Sequence, residues 1–462
     1  MSRALVYGLA VAGESTVRAL LRRGVDVVVA DDLVDDQRTE LAAELGVDLL
    51  ERPDVDALRS LVSSCDLVSP APGVPETHAV VTTAQALGVE LVSEIELAYR
   101  WERDRPGGPR PMLAITGTDG KTTTTLLAVE MLRAAGLRTV DAGNTSTPLV
   151  DAIEQDLDAF VVECTSFRLA WTPTFRAEAA VWLNLAPDHL NWHRSMDTYE
   201  AAKAQVWANQ RPDDVAIGFI DDDVVMARLG SAPGRQVTFG AHDADYRLDD
   251  DRLVGPSGII ARVGAMKRSL PHDITNALAA SALVLETGLA GVEPIADALA
   301  SFSGPPHRLE HLGTWDDVSW YNDSKATTPH AARAAIRSFG GLILIAGGYD
   351  KGVDLSSMAA DTGGVDAVIA IGDTASDVAA AFADVDRVQV VDDLADAVAV
   401  AAAIARPGST VLLSPGCASF DQYSGFAARG DHFRALVLER FGTPDASAGH
   451  QSANVMNHGG SR

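Results

Sequence analysis

A short glycine loop that ends in Lys-Thr constrains the fold of this chain more than any other segment. The apolar run at residues 112–115 predicts a buried strand, and residues 124–135 predict a helix beyond the loop. Backbone N–H groups at a helix start can point at phosphate oxygens, and the helix dipole favours that negative charge. The loop therefore predicts a polyphosphate site, with Lys121 reaching the terminal phosphates and the Thr122 hydroxyl ligating Mg²⁺.

The loop is shorter than the standard pattern G-x-x-x-x-G-K-[ST]. Ile115 stands where that pattern has its first glycine, and the additional glycine is Gly117. By the generic pattern alone, an ordinary strand–turn–helix joint is an alternative. The strand before the loop, the helix after it and the run of threonines favour phosphate binding.

The chain of 462 residues is too long for one typical domain, and its alternating β and α patterns predict the α/β class. Linker composition at residues 103–111 and at residues 303–306 indicates boundaries. We predict a Rossmann-like N-terminal domain (1–104), a central mononucleotide-binding domain (105–304), a Rossmann-like C-terminal domain (305–442) and a disordered tail (443–462).

Composition excludes several classes of protein. No apolar run approaches the roughly 20 residues that span a bilayer, and the first residues lack signal-peptide anatomy, so we expect a cytoplasmic chain without membrane insertion. Cys65, Cys164 and Cys417 are far apart without metal-ligand spacing, which predicts reduced, partly buried thiols. A net charge of −27 argues against nucleic-acid binding. A polyanionic ligand would need a local cationic pocket.

The N-terminal residues 3–30 predict a strand, a glycine turn, a helix and a second strand, as in a Rossmann βαβ unit. Asp31 and Asp32 end the second strand, where an acidic side chain commonly holds a ribose. Ala10 occupies the second glycine position of G-x-G-x-x-G, so the pattern is incomplete and leaves a dehydrogenase and a nucleotide-sugar site both open. A proline-rich loop at residues 69–75 follows a further strand, at the sheet edge where ligands bind.

Two consecutive strands of the central region end in polar residues. The strand at residues 159–162 runs into Glu163, and the strand at residues 179–185 runs towards Asp188 and His189. A single glutamate at a strand end is usually a solvated charge, and a single histidine is more often structural. Because both strand ends lie beside the phosphate loop, Glu163 and His189 are interpreted as metal ligands or as groups that orient the substrate.

The remaining segments are less specific. Lys203 lies on a predicted helix over residues 196–209, and on residue type alone it reads as a surface lysine. Residues 237–263 alternate short strands with acidic turns, which predicts a small side sheet. Buried strands of the C-terminal region each end in a polar loop, and they lie at residues 342–346, 365–371 and 410–413.

Taken together, these segments resemble the Mur ligases, which form amide bonds with ATP in bacterial cell-wall synthesis. The resemblance covers residues 3–440. It is carried by Thr-Gly-Thr-Asp-Gly-Lys-Thr-Thr at 116–123, Glu163 with Thr165-Ser166-Phe167, Asn184 with Asp188-His189, Pro306-His307-Arg308, Asn-Asp-Ser-Lys-Ala-Thr at 322–327 and Ser-Pro-Gly-Cys-Ala-Ser-Phe-Asp-Gln at 414–422. Within the family, these motifs look most like those of the member that adds D-glutamate.

The resemblance implies a three-domain ligase that adds D-glutamate to UDP-N-acetylmuramoyl-L-alanine through an acyl phosphate, in cytoplasmic peptidoglycan precursor synthesis. It implies ATP and Mg²⁺, no nucleic acid, and a monomer. An ammonium at Lys203 would be repelled by Mg²⁺, so the implied metal ligand is a carboxylated Lys203. The alternatives are another Mur-type or folylpolyglutamate-type amino-acid ligase, and a nucleotide-binding protein without turnover.

The resemblance also implies roles for individual residues. The implied catalytic residues are Lys121, Glu163, His189 and Lys203. The implied metal ligands are Thr122, Glu163, His189 and Lys203. ATP would contact Gly117, Thr118, Asp119, Gly120, Lys121, Thr122, Thr123, Asn276, Arg308 and Asp323. The UDP-sugar would contact Ala12, Asp31, Asp32, Gly73, Asn144 and Thr165. D-glutamate would contact Lys325, Thr327, Lys351, Ser419 and Phe426.

The chain departs from the family pattern at a few positions. Arg168 stands where glutamine is usual, and Asp273 stands where asparagine is commoner. Thr165 replaces a serine and keeps its hydroxyl. Residues 328–330 also differ from the usual sequence.

Overall fold

The computed structural model describes residues 1–240 and 242–443, and over these residues the strands form three sheets. The chain clusters into two compact units over this part. The first unit comprises Met1–Lys267 and His272–Phe302, and the second comprises Arg268–Pro271 and the chain from Ser303 onwards. The predicted disordered tail lies outside the described residues, apart from Thr443.

The first sheet is parallel, in the order β3-β2-β1-β4-β5. Its elements are β1 (Arg3–Tyr7), α1 (Val11–Arg22), β2 (Asp26–Asp31), α2 (Asp36–Leu45), β3 (Asp48–Glu51), α3 (Val55–Ser63), β4 (Leu67–Pro70), α4 (Ala79–Leu87), β5 (Glu90–Leu91) and α5 (Glu94–Arg103). The predicted βαβ unit is confirmed. Strand order reverses between β1 and β4, which places a ligand crevice at their carboxyl ends.

The central sheet has the order β14-β13-β12-β11-β10-β9-β6-β8-β7. Its elements are β6 (Met112–Thr116), α6 (Lys121–Ala134), β7 (Thr139–Gly143), α7 (Leu149–Ala152), β8 (Ala159–Glu163), α8 (Ser166–Leu169), β9 (Ala179–Trp182), α9 (Met196–Ala208), β10 (Val215–Phe219), α10 (Asp223–Leu229), β11 (Arg235–Gly240), β12 (Tyr246–Asp249), β13 (Arg252–Gly255), β14 (Gly258–Arg262), a 3₁₀ turn (Val263–Ala265), α11 (Pro271–Glu286) and α12 (Val292–Ser301).

Three details of the central prediction are wrong. The helix after the glycine loop begins at Lys121 and not at 124, because Gly120 adopts the left-handed conformation and caps it directly. The strand predicted over 179–185 ends at Trp182. The predicted side sheet is not separate, since β12 pairs with β11 and β12–β14 extend the central sheet at its edge.

The middle strands of the central sheet are buried on both faces, as expected for parallel strands covered by helices. Along β6, Met112 and Ala114 join a core shared with the first sheet. Leu113 and Ile115 point the other way, into a core beneath α6, α11 and α12. This packing holds the carboxyl end of β6, and hence the glycine loop, in a fixed position.

The third sheet has the order β15-β16-β20-β17-β18-β19, with β15 antiparallel to its neighbour. Its elements are β15 (Glu310–Trp315), β16 (Val318–Asn322), α13 (Pro329–Ile336), β17 (Leu342–Gly347), a 3₁₀ helix (Ser356–Ala360), β18 (Val365–Ile371), α14 (Ala375–Ala381), β19 (Val388–Val390), α15 (Leu394–Ile404), β20 (Thr410–Leu413) and α16 (Phe426–Phe441). The predicted α/β class is confirmed, whereas the exact domain boundaries stay predictions.

All three cysteines are free and buried, as predicted. In the part of the chain that the structure describes, no helix is long and apolar enough to cross a membrane.

Candidate active site

The glycine loop between β6 and α6 is tightly packed. Gly117 and Gly120 both have positive φ, at 154° and 83°. A Cβ on Gly117 would lie 2.9 Å from the Cβ of Leu183, and a Cβ on Gly120 would lie 2.6 Å from Asn276 Oδ1. Both conformation and space therefore require glycine. Asn276, a predicted ATP contact, packs against the helix start, where its Oδ1 also accepts a hydrogen bond from the Thr124 hydroxyl at 3.3 Å.

The segment after β9 fixes the shape of this loop. Asn184 Oδ1 accepts hydrogen bonds from the backbone N–H groups of Thr118 and Asp119, each at 2.9 Å. The Thr118 hydroxyl accepts from the Ala186 N–H at 2.9 Å and lies 3.0 Å from the Tyr199 hydroxyl. The loop is thus preorganised by groups outside it.

Two lysines converge on one carbonyl of the loop. Lys121 Nζ donates to the Gly117 carbonyl at 2.9 Å and to the Thr118 carbonyl at 2.8 Å. Lys203 Nζ donates to the same Gly117 carbonyl at 2.5 Å. Burial, followed by the charge of Lys121, lowers the pKa of Lys203 well below its ordinary value. The expectation of a surface lysine is wrong, because Lys203 is 1% exposed and its side chain reaches the glycine loop.

Glu163 lies at the same edge of the sheet as the glycine loop. It ends β8 opposite Ile115 of β6, and it is buried. One carboxylate oxygen, Oε1, accepts a hydrogen bond from Asn144 Nδ2 at 2.9 Å. The other, Oε2, is buried without a hydrogen-bond partner, as is the Thr165 hydroxyl. An unsatisfied buried carboxylate oxygen is costly, so this position suits a cationic ligand.

His189 lies in the loop between β9 and α9, in the left-handed conformation at φ 55°. Its ring packs edge-to-face on Phe167, with ring centres 4.6 Å apart. Burial lowers its pKa, and the charges of Lys121 and Lys203 act in the same direction, whereas Asp188 opposes them. The imidazole is therefore held neutral at pH 7, the form that can ligate a metal.

The predicted UDP-sugar residues of the first sheet lie at its carboxyl edge. Asp31 Oδ2 accepts from the Leu9 N–H at 2.7 Å and so holds the glycine turn. Asp32 accepts from the Tyr7 hydroxyl at 2.7 Å and lies 3.0 Å from His78 Nε2. Ala12 lies in the first turn of α1, and the exposed Gly73 lies on the proline-rich loop.

The glycine turn itself allows no side chain at two positions. A Cβ on Gly13 would lie 1.9 Å from the Gly8 carbonyl oxygen. Gly8 has φ 99°, and a Cβ there would lie 2.8 Å from that of Ala71. Helix α1 can therefore start this close to β1 only with glycine at both positions.

The second unit places a buried carboxylate after β16. Asp323 accepts hydrogen bonds from the Leu309 N–H at 3.1 Å and from the Ser414 hydroxyl at 2.8 Å. Burial raises the pKa of Asp323 to about 7, against the opposing effects of these hydrogen bonds and of the Arg308 charge. Arg308 and Asp323, predicted ATP contacts, both belong to this unit.

Arg429, on α16, organises the loops that carry the predicted D-glutamate residues. It is 1% exposed, and its guanidinium donates to the Ser324 hydroxyl and to the carbonyls of Ser324, Cys417 and Ala418, each at 3.0 Å. Burial lowers the pKa of Arg429 to about 10, so it stays cationic at pH 7.

The predicted D-glutamate residues lie on these loops and their neighbours. Lys325 Nζ is 5.7 Å from the ring centre of Phe426, and the Ser324 hydroxyl donates to the Phe426 carbonyl at 2.8 Å. Tyr349 N–H donates to the Ala418 carbonyl at 2.9 Å, which holds the loop of Lys351 beside the loop of Ser419. Thr327 follows Lys325 in a backbone turn, in which the Thr327 N–H donates to the Lys325 carbonyl at 2.9 Å.

Comparison with known proteins decides the family. Family models described as "Mur ligase middle domain" and "Mur ligase, glutamate ligase domain" match residues 115–284 and 307–417. A UDP-N-acetylmuramoylalanine–D-glutamate ligase of Frankia casuarinae is 41% identical over 455 residues, which cover 95% of this chain and 94% of that protein. This chain belongs to the Mur ligase family.

Further similarities agree with this assignment. A second ligase of the same name, from Shouchella clausii, is 37% identical over 94% of this Mur ligase and 96% of its own length. The MurF ligase of Thermotoga maritima, solved in complex with ADP, has a TM-score of 0.54 at 15% identity and covers 95% of this chain and 96% of that one. That likeness shows a shared fold. The resemblance carried by the sequence motifs is confirmed.

The departures from the family pattern have local explanations in this Mur ligase. Arg168 is buried and forms an ion pair with Glu94 at the start of α5. The pair lines a small cavity together with Ser69 and Ser93. Asp273 is buried with His272 Nε2 at 3.5 Å from its carboxylate. Both changes are therefore accommodated by charged or polar partners.

The residues present fit a magnesium ion in part. Within residues 1–240 and 242–443, no three His, Cys, Asp or Glu side chains converge on a metal position. The predicted ligands include just two such residues, Glu163 and His189, with the Thr122 hydroxyl and Lys203 completing the set. The unpaired Oε2 of Glu163 fits a cation, whereas Lys203 fits only once it carries a carboxylate.

Sequence reasoning missed several contributors. Tyr199 lies one helical turn before Lys203, and that spacing could have indicated a shared face. Arg429 lies one turn after Phe426 on α16, which gave a similar signal. For His78 and His193, the partners lie on distant loops, and no local pattern indicates them.

Proposed function

We propose that this Mur ligase uses ATP to join D-glutamate to UDP-N-acetylmuramoyl-L-alanine, in the cytoplasmic assembly of peptidoglycan precursors. The observation that carries the proposal is the convergence of Lys121 and Lys203 on the Gly117 carbonyl, at the same sheet edge as the unpaired Glu163 oxygen. The names of the relatives supply the substrates. A dehydrogenase is disfavoured because the family carries a phosphate loop downstream of the incomplete glycine pattern.

The chemistry explains why cations are needed. A carboxylate does not accept an amine at neutral pH, because its oxygen is a poor leaving group. ATP converts the carboxylate into an acyl phosphate, the amine then attacks the carbonyl carbon, and phosphate leaves. Phosphoryl transfer depends on positioning and charge neutralisation. Lys121 would offset the repulsion between ATP and the carboxylate, which at about 4 Å could reach several kcal/mol in a partly desolvated site.

The surroundings of Lys203 support its carboxylation. Its lowered pKa favours the unprotonated amine. That amine can attack CO₂, forming an N–C bond and releasing one proton, which leaves an anionic carbamate. Thr122, Glu163, His189 and carboxylated Lys203 would hold Mg²⁺, which when bound supplies positive charge to the phosphate oxygens.

D-glutamate would bind at the carboxyl edge of the third sheet. Its two carboxylates need cationic and hydroxyl partners, and the candidates are Lys325, Thr327, Lys351, Ser419 and Phe426. The loops that carry them are tied together by Arg429, whose buried charge also favours an anionic ligand nearby. Amino-acid choice would depend on this cluster.

The test is ADP release with UDP-N-acetylmuramoyl-L-alanine against a panel of D- and L-amino acids. We expect turnover with D-glutamate, and none without the nucleotide-sugar. Turnover with a different amino acid, or with a folate in place of the nucleotide-sugar, would replace this function by one of the related ligase activities. No ADP with any combination would leave a nucleotide-binding protein.

A further inference from the structure

His193 is a buried histidine that the proposed chemistry does not use. Its side chain is fully buried, with Nε2 2.9 Å from the Ser166 hydroxyl and Nδ1 3.6 Å from Glu76 Oε2. The order of groups is that of a Ser–His–acid triad, but the 3.6 Å contact with Glu76 is longer than a hydrogen bond. Ser166 is 1% exposed, however, so its hydroxyl cannot reach a substrate as a nucleophile. The arrangement must therefore act through the loops that it joins.

On one side, His193 belongs to a clamp formed by Pro72, Glu76, Trp192, His193 and Thr198. The Glu76 carboxylate accepts hydrogen bonds from the Arg194 N–H and from the Thr198 hydroxyl, the latter at 3.0 Å. The Glu76 N–H donates to the Trp192 carbonyl at 3.3 Å. Trp192 Nε1 donates to the Pro72 carbonyl at 2.9 Å. The clamp fastens the proline-rich loop of the first sheet to the segment before α9.

On the other side, His193 reaches the loop that follows β8. Ser166 begins α8 directly after Thr165, and the same short loop starts at Glu163. His193 is thus the direct side-chain link from the clamp to the loop of a predicted metal ligand. Its ring also stacks on Phe167, with ring centres 5.9 Å apart.

The protonation state of His193 determines which of its ring nitrogens can donate a hydrogen bond and which can accept one. Burial lowers its pKa to about 4, with Lys203 and His189 acting the same way and Glu76 opposing them, so the ring is neutral at pH 7. We assign the ring proton to Nδ1, because that nitrogen faces the Glu76 carboxylate at 3.6 Å. Nε2 is then an acceptor, and the Ser166 hydroxyl donates to it.

We propose that His193 is a positioning residue that couples the seating of the nucleotide-sugar on the proline-rich loop to the placement of Glu163 and Thr165. The proposal rests on the proposed function. Gly73 lies on the proline-rich loop within the span that the clamp fixes, between Pro72 and Glu76. Because phosphoryl transfer is sensitive to misplacement of about 1 Å, a loosened link slows the reaction without removing any group that touches it.

The first test compares His193→Ala with His193→Gln in the full chain. We expect His193→Ala to lower kcat by roughly 10- to 100-fold, the range associated with small misplacements of catalytic groups. We also expect it to raise the KM for UDP-N-acetylmuramoyl-L-alanine several-fold, with the KM for ATP unchanged. Glutamine can offer an amide oxygen to Ser166, so His193→Gln should recover much of the loss. Equal losses in both variants, with the KM for the nucleotide-sugar unchanged, would overturn the proposal.

A double-mutant cycle sharpens the test. If Ser166 and His193 act as one unit, the double variant Ser166→Ala/His193→Ala is no slower than the worse single variant, whereas independent effects would multiply. Multiplying effects would contradict the link. Thr172→Val is the matched control, since Thr172 is also buried and its hydroxyl donates to the Leu169 carbonyl at 2.7 Å.

The control should lower the melting temperature and leave kcat and both KM values unchanged. Thermal unfolding of each variant separates loss of fold from loss of coupling. An inactive wild type would instead contradict the proposed function, so the two failures are distinguishable.

Discussion

The loops of the central sheet and the loops of the third sheet each bury a basic side chain and a carboxylate, but the hydrogen bonds of these groups differ. Lys203 donates to a carbonyl that Lys121 also uses, and one oxygen of Glu163 has no partner. Arg429, by contrast, makes four hydrogen bonds, all to uncharged oxygens. Both oxygens of Asp323 accept hydrogen bonds.

This difference indicates which of the two regions needs a ligand or a modification to pair its buried polar groups. Buried polar groups in folded proteins are almost always hydrogen-bonded, so groups left unpaired mark places where a ligand or a modification completes the set. The central loops fit that description. In the third-sheet loops, by contrast, Arg429 and both oxygens of Asp323 already have hydrogen-bond partners within the protein.

The largest expected effect comes from removing the buried Lys203 side chain. Lys203→Ala should lower turnover by on the order of 100-fold or more, because a group that places the transferring phosphoryl is lost. ATP binding should survive, since Lys121 and the loop N–H groups remain. The measurement is ADP release beside calorimetric ATP binding, with and without added bicarbonate, which should raise wild-type activity only.

Lys203→Arg is the control, since arginine keeps a positive charge but does not form the carbamate. If the arginine variant retained wild-type turnover, carboxylation of Lys203 would be excluded. The central region would then resemble the third sheet in needing only a buried charge.

The next prediction compares how the two buried basic side chains, Arg429 and Lys203, affect the free energy of unfolding. Arg429→Met should lower the free energy of unfolding by roughly 3 kcal/mol, because several buried acceptors lose their donor. Lys203→Met should leave it unchanged or raise it, since a desolvated amine is replaced by an apolar chain of similar length. Urea unfolding of both variants checks this. Equal losses would remove the distinction between the regions.

The smallest effect, counted per pH unit, is the pH dependence of stability that Asp323 causes. The pKa of Asp323 in the folded chain, about 7, lies above the ordinary value of 3.8, so the folded chain holds a proton between these values that the unfolded chain has lost. The contribution of this group to stability is therefore fully present below about pH 4 and falls as pH rises towards about 7. The free energy of unfolding falls by at most about 1.4 kcal/mol per pH unit in this range. Above the range, the contribution of Asp323 is constant.

Asp323→Asn should flatten this slope. The melting temperature of the variant relative to wild type, followed from pH 5 to pH 8, measures it. A parallel pH profile in both proteins would show that Asp323 is not the group responsible.

Much of the fold and of the candidate site could be predicted from the sequence, because strand ends and glycine loops are local patterns. Parallel strands bring their carboxyl ends to one edge, so Glu163, His189 and the glycine loop were predictable neighbours. The burial of Lys203 was missed although its helical spacing from Tyr199 and Val206 places it on the apolar face of α9. Residue type alone indicates a surface position for a lysine, and here periodicity is the better guide.

The remaining features depend on contacts between distant segments. The partners of His193 come from loops of both the first and the central sheet, and those of Arg429 come from loops after β16 and β20. Such contacts are fixed by how the elements pack and not by any periodic pattern along the chain. The sheet edge that carries the candidate site is therefore easier to predict from the sequence than the side chains that hold its loops in place.

The close approach of Gly13 to the Gly8 carbonyl limits how evolution can alter this enzyme. With 1.9 Å between that oxygen and any added Cβ, even a methyl group is forbidden there. No substitution at Gly13 is thus possible without a change in the backbone of this turn. Substitutions at this edge of the first sheet are therefore easier in the more permissive loops after β2 and β4, where an exposed Leu33 and Gly73 leave room for change.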